Sequence, residues 1–210
     1  MLPAQPCPEW EYKDHPQYAT IVPARALELK ATLSTDKIAS AATAIDTRLA
    51  HRKLFREVTP TGYDYYAGHH RGEDFPCLKT YEVGVGGDPR VGERPYRVAF
   101  RMRRLSALVK EIITALDKEA PISTKEELQR LVDFIGRSFV DFLTIHPYAN
   151  GNGHAARIIV CAIMLHYGFP SVWSIDSRPP AGEYTTLITQ HRSGNPAPLQ
   201  RYILEWLVSN

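Results

Sequence analysis

The sequence predicts a mainly α fold with one small β-hairpin. Three observations predict it. Apolar residues recur at helical spacing through most of the chain. Residues suited to helix capping precede several of those runs. Only between Thr59 and Pro95 does the pattern dissolve into glycine, proline and aromatics, with short β-formers alternating around Gly86-Gly87-Asp88-Pro89, which reads as a hairpin.

Taken in order, the first 23 residues are rich in proline and polar side chains and read as an irregular arm on the surface. A helix then opens with Pro23 near its N-terminus and runs through ARALELKATL. A second starts at Thr35-Asp36, where either side chain can cap, and carries Ile38, Ala42, Ile45 and Leu49 on one stripe. Helical patterning resumes near Phe100 and lasts to about Lys118. Ser123 or Thr124 caps the next helix, with capping-box spacing from Thr124 to Glu127. Along it Leu128, Leu131, Val132, Ile135, Phe139, Phe142 and Leu143 form one broad stripe that must be buried. After HPYANGNGHAAR, a helix from about Asn152 to Tyr167 has hardly any polar face, and Gly168 is placed to end it. Two more helices are predicted near Ala181–His191 and Pro196–Val208.

Composition narrows the function classes. With 44% hydrophobic and 23% charged residues over 210 positions, the chain has an ordinary globular balance. A net charge of +2 argues neither for nucleic acid nor for a membrane as partner. The denser run RMRRLSALVK reads as a solvated helix face. Cys7, Cys77 and Cys161 are odd in number and widely spaced, so no disulfide framework is expected and a reducing, cytoplasmic setting fits. The N-terminus lacks a cleaved-signal pattern; delivery into a host cell by a specialised secretion machine remains compatible with it.

Chemistry concentrates in His146–Arg157. A Gly-rich loop that ends at a helix N-terminus offers free N–H groups and the positive end of the helix dipole to an anion. Gly151 and Gly153 allow close backbone approach. Arg157, near the end of the first turn, can reach the same anion. His146 precedes Pro147 at the end of the previous helix, and an imidazole with a pKa of about 6.5 can accept a proton near neutral pH. By composition alone, the loop supports a purely structural turn equally well.

The same residues resemble the Fic family signature, His-x-Phe-x-(Asp/Glu)-Gly-Asn-Gly-Arg-x-x-Arg, through His146, Tyr148, Asn150, Gly151, Asn152, Gly153, His154 and Arg157. The hairpin through Val83, Gly84 and Val85 stands where that family has its target-binding flap, and EYTTLITQHRSGNPAPLQRYILEWL resembles its closing region. The similarity runs over roughly residues 80 to 207. It implies a Fic-type helical bundle, with a catalytic domain over 71–210 preceded by an arm and helices over 1–70. It also implies transfer of a nucleoside monophosphate, typically AMP from ATP, to a Ser, Thr or Tyr hydroxyl of a target protein. His146 would be the general base, Gly151 to Gly153 would hold the phosphates with Mg²⁺ or Mn²⁺, and Arg157 would offset leaving-group charge. Tyr148 would replace the anchoring Phe.

Two residues depart from the signature. Asn150 stands where the family has its acidic metal ligand, so metal binding there should be weak. His154 replaces the first arginine and cannot make its bidentate phosphate contact. A different phosphate-containing donor, or a module that binds without turnover, are the alternatives these changes raise. The family's inhibitory pattern, (Ser/Thr)-x-x-x-Glu-(Gly/Asn), has no match here, which leaves a separate inhibitory protein or none and favours a toxin- or effector-like role. Of the remaining candidates, His69-His70 read as solvated, His166 as a hydrogen-bonded core histidine, Cys161 as packing, and Tyr63, Tyr65 and Tyr66 as a cover over the core.

Overall fold

The computed structural model describes residues 7–84, 88–170, 174–175 and 181–208. Among them the chain forms α1 (Tyr18–Thr35), α2 (Lys37–Ile45), α3 (Arg48–Phe55), α4 (Pro95–Leu116), α5 (Lys125–Ile145), α6 (Asn152–His166), α7 (Ala181–Arg192) and α8 (Ala197–Val208). Short 3-10 turns lie in the arm and between α3 and α4. The mainly α prediction holds. The hairpin crosses residues 85–87, outside the described residues, and Val85 lies there with its turn; Val83 and Gly84 before it have no regular structure.

α6 is the axis of the molecule. Every residue from Ala155 to Met164 is buried, as its missing polar face requires. α2 and α5 lie along it, α1 and α3 cover more of its surface, and α4 packs on α2 and α5. α8 lies on α5 and pairs with α7. The α5 stripe is buried from Leu131 to Leu143, with Leu128 partly so. Its N-terminus carries the predicted capping box: Glu127 N–H donates to the Thr124 hydroxyl, and Thr124 N–H to the Glu127 carboxylate. Gly168, at φ +80°, follows α6 as expected. His166 is hydrogen-bonded between the Lys37 carbonyl and Asp117.

Four local readings need correction. α1 begins at Tyr18, and Pro23 sits inside it, where it lacks one N–H donor; the arm before it is not all surface, since Trp10 and Tyr12 are buried in the core. The stripe assigned to α2 is not a continuous buried face: Ile38 is 83% and Leu49 82% exposed, while Ile45 packs against the core. A break at Asp46-Thr47 puts Leu49 on α3. The small residues Ser40 and Ala44 form the buried face and allow close packing. α4 starts at Pro95, an N1 position that suits proline, five residues before Phe100. Of His69 and His70 only the first reaches solvent: His69 is about a third exposed and pairs with Glu73 at 2.7 Å, and His70 is buried.

The cysteine reading also fails. Cys7 and Cys77 form a disulfide across 70 residues, leaving Cys161 as a buried thiol. The pairing escapes spacing rules because it joins the arm to a distant loop. No helix among the described residues is long and apolar enough to cross a membrane. Loop-closure entropy for a link of this span is about 4 kcal/mol. Replacing Cys7 and Cys77 by serine is therefore expected to lower the urea unfolding free energy by roughly that amount, with peptide mapping of the wild type showing the Cys7–Cys77 link and Cys161 outside any disulfide.

Candidate active site

The signature loop leaves α5 and enters α6 through two left-handed residues, His146 at φ +53° and Gly151 at φ +74°. A side chain at Gly151 would meet Phe55 Cε2 at 2.6 Å and His51 Nε2 at 2.9 Å, so both backbone and packing demand glycine there. Gly153 has only Arg157 Nη1 within reach, at 3.4 Å. Asn152 holds the loop rather than pointing out of it: its Oδ1 accepts from Tyr148 N–H and its Nδ2 donates to the Tyr148 carbonyl, both at 2.9 Å.

Tyr148 fills the anchor position. Its ring is fully buried and stacks on His51 with centroids 3.7 Å apart. Its hydroxyl finds the partner a buried phenol needs, Thr47 Oγ1 at 2.8 Å. His51 Nδ1 accepts from Gly68 N–H, so the ring proton sits on Nε2 and is donated to the Asn150 carbonyl at 3.0 Å. Burial lowers the His51 pKa to about 3, which keeps this hub neutral.

A second clamp is Arg71, buried and absent from any motif. Its guanidinium donates to the carbonyls of His146, Tyr81, Glu93 and Ile145, and its N–H donates to the Pro147 carbonyl. It ties Tyr81 and Glu93 to the end of α5. Gly92 and Glu93 also donate to the Thr144 and Ile145 carbonyls. The Asp88 carboxylate accepts from Arg90 and Arg192, which hold its pKa down to about 2.

These elements enclose a cavity of about 1240 Å³, lined by Val83, Gly84, His146, the Asn150–His154 segment and Arg157. The N-terminus of α6 opens on it with no side-chain cap. His146 Nδ1 lies 2.9 Å from the Leu143 carbonyl. That oxygen can only accept, so Nδ1 carries the proton and Nε2 holds a lone pair. Burial lowers the His146 pKa, so the ring is neutral at pH 7.

The arm forms another wall, through Glu9, Trp10, Glu11 and Tyr12. Asn150 turns toward it, with Nδ2 donating to the Trp10 carbonyl at 2.7 Å and to Glu11 Oε2 at 3.3 Å. Asn150 Oδ1 accepts Gly151 N–H at 2.6 Å. His154 is buried edge-on against Tyr12 and Phe55, with centroids 5.3 and 5.2 Å away. Arg157, also buried, donates from Nε and Nη2 to the Ile175 carbonyl. The structure thus gathers the motif residues around one cavity, with Tyr148 buried beneath the loop rather than lining it, and adds His51, Thr47, Arg71 and the arm. No sequence signal marks these additions, because each acts through carbonyls or rings far away in the chain.

Two changes test this scaffold. Gly151→Ala is expected to cost about 3 kcal/mol in denaturant unfolding, from a disfavoured φ and the clash with Phe55. The pH dependence follows from His51 and from His70, which burial lowers to about 4. Both are depressed below the unfolded value of about 6.5, so their contribution is complete above that pH and is lost as pH falls toward 4. The denaturant midpoint should decline through this window, less steeply in His51→Phe, which keeps the stack but cannot titrate.

No protein-family model matches the chain. It is 29% identical over 82 residues to the protein adenylyltransferase Fic of Nematostella vectensis, a match covering 39% of this chain and 19% of that relative's length. Among solved structures it is similar to BepC, a VirB-translocated effector protein of Bartonella tribocorum crystallised with AMPPNP. The TM-score is 0.56 and the identity 17%, with 86% of each chain covered. The helical order and the structural likeness show that the chain shares its fold with BepC.

Proposed function

We propose that this domain transfers a nucleoside monophosphate, with ATP as the first donor to test, to a hydroxyl side chain of a target protein. The observation that carries the reading is a neutral imidazole, an uncapped helix N-terminus and a buried arginine lining one cavity of nucleotide-accommodating size. The AMPPNP bound by BepC and the adenylyltransferase name of the Nematostella relative support the same chemistry. A target protein, a separate inhibitory protein, and delivery as an effector belong to this proposal.

In this mechanism the target hydroxyl gives its proton to His146 Nε2 as its oxygen attacks the α-phosphorus. The bond to the pyrophosphate oxygen breaks, and the departing charge meets the N–H groups of Asn152 and Gly153. Arg157, anchored through Ile175, adds a fixed positive charge to the same wall. The Arg71 contacts to the His146 carbonyl hold the base in place. Asn150 Oδ1 already accepts Gly151 N–H, so it would be at most a weak ligand to Mg²⁺ or Mn²⁺. A bound cation would neutralise phosphate charge.

A second reading has its own observation. Asn150 is tied to the arm and His154 lies between two rings, an arrangement that suits a module that binds nucleotide without turnover.

Incubation with each nucleoside triphosphate plus Mg²⁺ or Mn²⁺, followed by intact mass of the chain and of lysate proteins, separates the two. Transfer predicts a nucleotide mass adduct that His146→Ala abolishes; binding by calorimetry with no adduct supports the second reading. Because the His146 pKa is depressed, the labelling rate should hold steady as pH drops from 8 through about 6.5 and fall only below it. A fall that begins above pH 7 contradicts a buried neutral base.

A further inference from the structure

We infer that Glu11, in the N-terminal arm, supplies the carboxylate ligand to the divalent cation that accompanies the donor phosphates, with Asn150 as the residue that positions it. The inference rests on the nucleotide reading above and assigns a site residue that lies outside the signature.

Asn150 cannot bring a negative charge to the loop, and its amide is already committed. Its oxygen takes the Gly151 N–H and its nitrogen faces the arm. The carboxylate it meets there is Glu11, at 3.3 Å. Glu11 is itself oriented: it is the N-cap of a 3-10 turn, Tyr12–Asp14, and its Oε1 accepts Lys13 N–H at 3.2 Å. With one oxygen on the turn and the other on Asn150, the carboxylate is held where the arm lines the cavity.

Comparison with the other acidic groups lining the cavity singles it out. Asp88 is neutralised by Arg90 and Arg192, and Glu82 lies 3.5 Å from Arg94. Glu9 and Glu11 have no cationic partner among the described residues, and of these two only Glu11 touches the loop. A carboxylate without a counter-charge beside a phosphate nest repels a polyanion unless a cation lies between them. Mg²⁺ typically takes one or two carboxylates, with waters and substrate phosphates filling the other positions. One oriented carboxylate beside the nest meets that need. The arm is held there by Trp10, whose carbonyl binds Asn150 and whose indole N–H donates to the Val58 carbonyl, and by the Cys7–Cys77 link.

The test uses the whole chain with Mn²⁺ and AMPPNP, reading bound Mn²⁺ by electron paramagnetic resonance and nucleotide affinity by calorimetry with and without EDTA. Glu11→Gln is expected to weaken Mn²⁺ binding in the nucleotide complex by about tenfold or more, while nucleotide affinity in EDTA stays level or rises. Glu9→Gln should change neither. Asn150→Asp in the Glu11→Gln background should restore Mn²⁺ affinity by moving the charge onto the loop. Unchanged Mn²⁺ affinity in Glu11→Gln overturns the inference and leaves the nucleotide reading standing. So does tighter nucleotide binding in that variant with metal and without it, which would make the arm a brake. A wild-type chain that binds no nucleotide under any condition overturns both.

Discussion

The site depends on one contact: the neutral imidazole of His51 against the underside of the signature loop. That loop contains two residues with positive φ and no repeating hydrogen-bond pattern, so beyond the internal Asn152–Tyr148 pair it needs a brace from outside. His51 supplies one from below. It stacks on Tyr148, donates to the Asn150 carbonyl, and leaves no room for a side chain at Gly151. Its other nitrogen takes a backbone N–H from Gly68, which fixes the tautomer. A charged His51 could not accept that bond. Burial and function are joined in one ring: what keeps it neutral also keeps the first turn of α6 open to the cavity.

How much of this was legible in the sequence follows from distance along the chain. The α5 and α6 cores, the capping box at Thr124 and the glycine after α6 rest on local patterns and read correctly. Tyr148 as a buried anchor with a bonded hydroxyl was readable from the motif, although its partner Thr47 was not. What failed depended on distant partners. Arg71 looks like an ordinary loop arginine until four carbonyls converge on it. The stripe ending at Leu49 assumed one continuous helix, and a two-residue break carries Leu49 onto α3, where it is exposed. The arm seemed merely polar, yet Trp10 and Tyr12 plug the core and Cys7 is covalently tied to Cys77.

The departures from the signature gain a physical context from the arm. Asn150 and His154 both touch it, one through the Trp10 carbonyl and Glu11, the other through the Tyr12 ring. An aspartate at 150 would face a carbonyl oxygen at 2.7 Å and a carboxylate beyond it, an arrangement with repulsion on both sides. An arginine at 154 would have to displace Tyr12 or Phe55. The exchange of both residues fits a chain in which the N-terminal segment has become part of the site wall.

The central claim is that an anion docks on the amides at the start of α6, where Asn152 and Gly153 line the cavity. It is tested most directly by ¹⁵N NMR of the whole chain titrated with ATP, following the backbone N–H resonances of Asn152 and Gly153. The account predicts that these two shift progressively and saturate together with the His146 ring signals, while amides at the far end of α6, near Leu165, stay still. Saturable shifts confined to another surface, with Asn152 and Gly153 unmoved, would contradict it.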